Sequence, residues 1–166
     1  MESGLGITRV SQRVAVGFVL VVFAVLAASA SAAPTSHHVD TTATAQATFL
    51  DVHSGMAACW NLQGHAIFPG IGRTNFTGQY CTIGPNFVDG SFTEETTLTF
   101  SKGGSEFTIG GSTVSPNGAQ TPPPGTWAVS DASGRFAGLS GSGTLTFASL
   151  QPSSTLTLTL AGTLTR

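Results

Sequence analysis

The chain has 166 residues, of which only 8% are charged, with 21 glycines and two cysteines. From Pro34 onward seven acidic residues (Asp40, Asp51, Asp89, Glu94, Glu95, Glu106 and Asp131) face four cations, Arg73, Lys102, Arg135 and Arg166. This excludes a nucleic-acid partner, because neutralising phosphates takes clustered Lys and Arg rather than scattered cations on an acidic chain.

Residues 1–33 read as a secretory signal peptide with a helical apolar part. Arg9 and Arg13 precede an uninterrupted apolar run, Val14 to Ala28, and Ala30-Ser31-Ala32 then offers a small-residue cleavage site before Pro34. An uncleaved membrane anchor is the alternative, since Val14 to Ala33 is long enough to span a bilayer. The small-residue tail favours cleavage, so the chain is expected to be secreted, extracellular and free of the membrane afterwards. Residues 34–42, with His37 and His38 side by side, read as a polar, flexible tail. Residues 43–166 then read as a single domain, with enough chain to bury a sizeable core.

Within that domain helical spacing is absent and apolar residues recur at every second position. Twenty-three threonines from Thr35 onward take the place of charge, and a β-branched polar residue suits the solvent face of a strand. The first strand sets Ala45, Ala47 and Phe49 on one face and ends with Asp51 and His53 on one side. A carboxylate beside an imidazole is a geometry able to orient a general base. Cys59 and Cys81 lie symmetrically about Gly70 in Phe68-Pro69-Gly70-Ile71-Gly72-Arg73, a strong turn signal. Folding the flanking strands about that turn sets Cys59 opposite Cys81 and Trp60 opposite Tyr80, so turn and cysteine register agree. A structural disulfide follows, with two buried free thiols as the alternative. His65 shares the outward face with Cys59, Asn61 and Gln63. The pair has neither redox spacing nor further ligands nearby, and no metal or cofactor is expected.

In Phe92-Thr93-Glu94-Glu95-Thr96, Glu94 shares a face with Phe92, Thr96, Leu98 and Phe100. It is expected to point inward near a barrel mouth, where a carboxylate among apolar groups can act as acid or base. Phe107 with Ile109 and Trp127 with Val129 mark the next two strands. Between them the proline-rich stretch Ser115 to Gly125 is either a stiff connector or a rim loop over a cavity. Gly134, Arg135, Phe136, Gly138, Gly141 and Gly143 then precede Leu145 and Phe147. Gly134 and Gly138 permit positive φ, Phe136 is expected to tuck against one end of a barrel, and Gly141 and Gly143 are expected to make room for something bulky. The last strand sets Leu156, Leu158, Leu160 and Leu164 opposite threonines. Eight short strands predict an all-β fold, an eight-stranded antiparallel barrel, with a β-sandwich as the alternative. A threonine-covered exterior with Tyr80 as the only tyrosine excludes an outer-membrane barrel, which needs an apolar band and aromatic girdles.

Ser133 to Gly143, with Arg135, Phe136, Gly138 and Gly141 at the matching positions, resembles the glycine-rich segment of the allene oxide cyclase and dirigent-like barrels. Ala132 and Ser133 depart from its first two positions. The resemblance implies an eight-stranded barrel with an apolar interior, a small apolar ligand and a homotrimer; it carries over no catalytic residue. Trp60, Tyr80, Phe100 and Trp127 are the candidate lining of a ligand cavity, and small inward residues such as Gly64, Ala66 and Gly78 would favour one. Glu94 and the Asp51–His53 pair are the catalytic candidates. The expected function is a secreted, non-catalytic barrel that binds a small apolar ligand or serves as a structural surface protein. The alternative is an allene-oxide-cyclase-like isomerase or cyclase acting on an apolar substrate.

Overall fold

A computed structural model of the chain describes residues 33–53, 57–117, 122–148 and 154–166, apart from the side chains of residues 51–53 and 57. The signal-peptide segment, residues 1–32, lies outside the described residues. Eight strands follow one another: β1 (Ser36–His53), β2 (Ala57–Phe68), β3 (Gly72–Ile83), β4 (Phe92–Lys102), β5 (Ser105–Ser115), β6 (Gly125–Ala132), β7 (Ser140–Ala148) and β8 (Thr155–Thr165). Each is antiparallel to the next and β8 returns to pair with β1, so the sheet closes into a barrel rather than a sandwich.

Period-two patterning explains the strands. In β4 Glu94, Thr96, Leu98 and Phe100 are buried between exposed or half-exposed neighbours, and β8 buries Leu156, Leu158, Leu160 and Leu164. The segment from Ser36 to Thr42, expected as a flexible tail, is instead the first half of β1. Ser36 pairs with Thr165 and Thr42 with Thr159, while Val39 and Thr41 are buried. The reason is closure: β8 needs a partner for its free edge, and this polar stretch supplies the backbone. Backbone hydrogen bonds from Thr35 N–H to the Arg166 carbonyl (2.7 Å) and from Arg166 N–H to the Thr35 carbonyl (3.0 Å) extend the seam.

The β2–β3 hairpin has the expected register, with Cys59 opposite Cys81 and Trp60 opposite Tyr80, and a disulfide joins the cysteines. Gly70 and Gly72 turn the chain with φ of 75° and 83°. A bridge across a loop of this length stabilises the fold by about 3 kcal/mol in the loop-entropy description. Bulges interrupt the ladder between Phe49 and Asp51 and between Thr108 and Ile109, sharpening the bend that closure requires.

An eight-stranded barrel is just wide enough to fill with side chains, and its two ends fill differently. At the end holding the β2–β3 and β4–β5 turns, Phe68, Phe76, Phe100, Phe107 and Phe136 form a plug with ring centroids 4.9 to 5.4 Å apart. The glycine-rich segment supplies its stopper. Gly134 at φ 59° and Gly138 at φ 81° bracket a 3-10 turn, Gly134–Phe136, which buries Phe136 against Phe107. The Ser105 Oγ accepts a hydrogen bond from Arg135 N–H (3.0 Å), and the Arg135 guanidinium covers the outer side of the Phe136 ring at 5.0 Å. Gly141 and Gly143 do make room, for the neighbouring strand. A Cβ on Gly143 would collide with the Ala161 carbonyl and with Gly162 Cα, and one on Gly141 with the Thr163 carbonyl and Leu164.

Candidate functional site

The other end of the barrel collects the β1–β2, β3–β4, β5–β6 and β7–β8 connections. It also collects the exposed apolar side chains. Among the described residues Phe49, Leu50, Ile83, Phe87, Val88 and Val114 are exposed there, while Ile67 is the exposed large apolar residue of the opposite end. Phe87 (91% exposed) and Val88 (94%) crown the β3–β4 loop, which is held by its own hydrogen bonds. Asn86 Oδ1 accepts from Val88 N–H (2.9 Å), Asp89 Oδ1 accepts from Ser91 N–H (2.9 Å), and Asn86 and Ser91 pair through their backbones (2.7 Å). Ser91, through its side chain first and its backbone N–H second, holds the exposed Asp89 carboxyl below its ordinary value.

Inside this mouth the lining has two characters. On one side an aromatic stair descends from the rim: Phe49 on Trp60 (5.6 Å), Trp60 on Tyr80 (5.6 Å), and Tyr80 on Phe147 across the barrel (4.9 Å). On the other, β3, β4 and β5 turn polar side chains inward. Glu94 is 5% exposed, and its Oε2 accepts two short hydrogen bonds, from Tyr80 Oη (2.6 Å) and Thr82 Oγ1 (2.6 Å). Its Oε1 accepts none among the described residues, and it is not one of the atoms sealed from solvent. Burial first, and the hydrogen bond to Glu94 second, push the Tyr80 phenol well above its ordinary value of 10.0, so it remains a proton donor to the carboxylate. Two further hydroxyls, Thr96 Oγ1 and Ser115 Oγ, are sealed from solvent and have no hydrogen-bond partner. By register Thr96 follows Glu94 on the inward face of β4, and Ser115 lies opposite Phe92 at the rim of β5. Chemically the mouth offers one carboxylate oxygen beside an apolar wall, with the two sealed hydroxyls beneath its surface.

Of the sequence candidates, the structure brings Glu94, Trp60 and Tyr80 together. Phe100 belongs instead to the plug at the far end and is completely buried, so it packs core rather than lining the mouth. Trp127 is a core residue as well. It lies between Gly111 and Gly143 on the neighbouring strands and donates from Nε1 to the Ala161 carbonyl (3.3 Å). Gly64 and Gly78 likewise open no cavity, since a Cβ on either would strike the next strand's backbone. The Asp51 and His53 side chains lie outside the described residues; their backbones pair with Cys59 and Ala57 in β2. His37, half-buried, lies over Gly70 at the plug end rather than in a tail, and His65 faces outward as expected. Sequence reasoning placed Thr96 on the inward face with Glu94 without giving it a role, and missed Thr82 and Ser115, whose inward direction follows from strand parity but not from hydropathy.

Two open depressions mark the outer wall, one of about 580 Å³ among Gln46, Thr48, Asn61, Gln63, Thr77 and Gln79, the other of about 500 Å³ beside Glu95, Ser112 and Thr126. Both are floored by the ladder itself, and the second includes Thr96 in its floor. Among the described residues no helix is long and apolar enough to cross a membrane. No family model matches the chain, and no curated protein matches it.

Proposed function

We propose that this chain is an exported, non-catalytic barrel that holds one small, largely apolar ligand at its loop-bearing mouth. The observation that carries the reading is the lining just described: a buried carboxylate with one oxygen left open, facing an aromatic stair beneath an exposed apolar rim. Buried polar groups in a finished core are hydrogen-bonded, and leaving one unpaired costs roughly 1–3 kcal/mol. A ligand with a polar end and an apolar body would satisfy both walls at once. Export rests on the signal-peptide pattern of residues 1–33 and on a disulfide of the kind that persists in oxidising compartments. The homotrimer implied by the resemblance of the glycine-rich segment belongs to the same proposal.

Native mass spectrometry of the protein recovered from its own host tests all of this at once. The expected spectrum shows a chain beginning at Pro34, the mass deficit of one disulfide, a trimer, and a non-covalent passenger released on activation. A ligand-free protein that also fails to take up apolar probes at the mouth would remove the binding function. A chain retaining residues 1–33 would remove the signal peptide from the account.

A further inference from the structure

We infer that the ligand of this mouth is a cationic amphiphile, an alkyl or aryl body carrying one protonated amine, with its ammonium on Glu94 Oε1 and its apolar part on Phe49, Trp60 and Tyr80. The inference rests on the proposed binding function and names the chemistry of the ligand. Three observations point to an amine.

The first is the donor and acceptor inventory of the site. Glu94 Oε2 is already engaged by two hydroxyl donors, which fix the carboxylate's position, while Oε1 has none. An ammonium has three donors and no acceptor. It can give one hydrogen to Oε1, the oxygen left open, and turn the others toward water at the mouth; Thr96 Oγ1 and Ser115 Oγ, sealed from solvent and four residues apart in register, lie beyond the reach of one ammonium. A carboxylate ligand would set two anions against each other, and a neutral alcohol can donate to Oε1 but brings no opposite charge to it.

The second is the distribution of charge. Strand order assigns each ionisable group to an end. Arg73 opens β3, Lys102 closes β4, Arg135 is in the 3-10 turn and Arg166 follows β8, so all four cations of the chain from Pro34 onward lie at the plug end. The mouth end holds Asp89, Glu94 and Glu95, with the backbone of Asp51, and no Lys or Arg. Among the described side chains no Lys or Arg lies at that end to pair with Glu94, and an acidic mouth attracts cations.

The third is the rim. An exposed apolar edge above a single buried charge fits a ligand with one charged terminus and a hydrocarbon remainder. Aromatic faces such as Trp60 also attract a neighbouring cation.

The test uses the full disulfide-bonded protein and three matched probes: octylammonium, octanol and octanoate at neutral pH, titrated by calorimetry and by tryptophan fluorescence. Octylammonium is expected to bind at least tenfold tighter than octanol, about 1.4 kcal/mol, with octanoate weakest. The Glu94→Gln variant is expected to abolish the preference for octylammonium over octanol, with an unchanged far-ultraviolet circular dichroism spectrum reporting an intact barrel. Equal affinities for octylammonium and octanol, tighter binding of octanoate, or a preference that survives Glu94→Gln would each overturn the amine and leave the mouth as a binding site. Binding of none of the three would overturn the amine and the proposed function together.

Discussion

Tyr80 is the residue on which the two characters of the mouth meet: one side of its ring touches Trp60 and Phe147, and its hydroxyl is committed to Glu94. Its phenol is held above its ordinary value in the folded chain and returns to that value on unfolding, so the unfolded chain alone ionises as pH passes 10.0. Stability from this group is fully present below that pH and is lost as pH rises toward the folded value, with the slope of one proton. As the only tyrosine, it can be followed by phenolate absorbance without interference. The expected outcome is a phenolate band that appears together with unfolding, and an alkaline loss of stability whose slope falls by one proton in Tyr80→Phe. A reversible titration near 10.0 in the intact fold would show that the hydroxyl is not buried against the carboxylate.

Glycines do their work at the scale of the element. β6 buries Trp127 between Gly111 and Gly143, and Gly143 in turn lies opposite Gly162, so two strands approach closely under one indole. An alanine at 143 must displace β8 backbone, whereas one at Gly110, on the outer face of β5, meets nothing within 4 Å. Urea unfolding is expected to show Gly143→Ala destabilised by several kcal/mol, on the order of 3 or more, with Gly110→Ala neutral or stabilised by up to about 1 kcal/mol. Equal effects would mean that the close approach does not constrain the strands. Such approaches mark the limit of what the sequence discloses. The hairpin about Gly70, the inward set of β8 and the inward direction of Glu94 were legible because turn chemistry and period-two hydropathy are local signals. The first half of β1 was hidden because its buried Thr41 reads as polar; its hydroxyl donates to the Ile67 carbonyl of β2 (2.9 Å), a partner 26 residues away. Gly141 and Gly143 showed that side chains were missing but not which backbone needed the space. Phe100 and Trp127 looked like cavity lining because aromatic content says nothing about which end of a barrel it fills.

Across the whole molecule the ladder has no unpaired edge among its eight strands, and its seam is held by Thr35 and Arg166 facing each other. With those residues already hydrogen-bonded, the order of the strands depends on where a continuous ribbon happens to be cut. The chain could equally be read as a ring whose opening lies at 35 and 166. Joining those positions by a short Gly/Ser linker and opening the ring at the exposed Gly103–Gly104 turn moves the break to another point of the plug end, leaving the mouth untouched. The rearranged protein is expected to give the parent's far-ultraviolet circular dichroism and to retain the Cys59–Cys81 bridge. Its folding rate is expected to change little, because the pairing of β1 with β8 becomes a hairpin while that of β4 with β5 becomes the most distant. Loss of the barrel on rearrangement would mean that the natural succession of strands, and not the closed pattern alone, is needed to reach it.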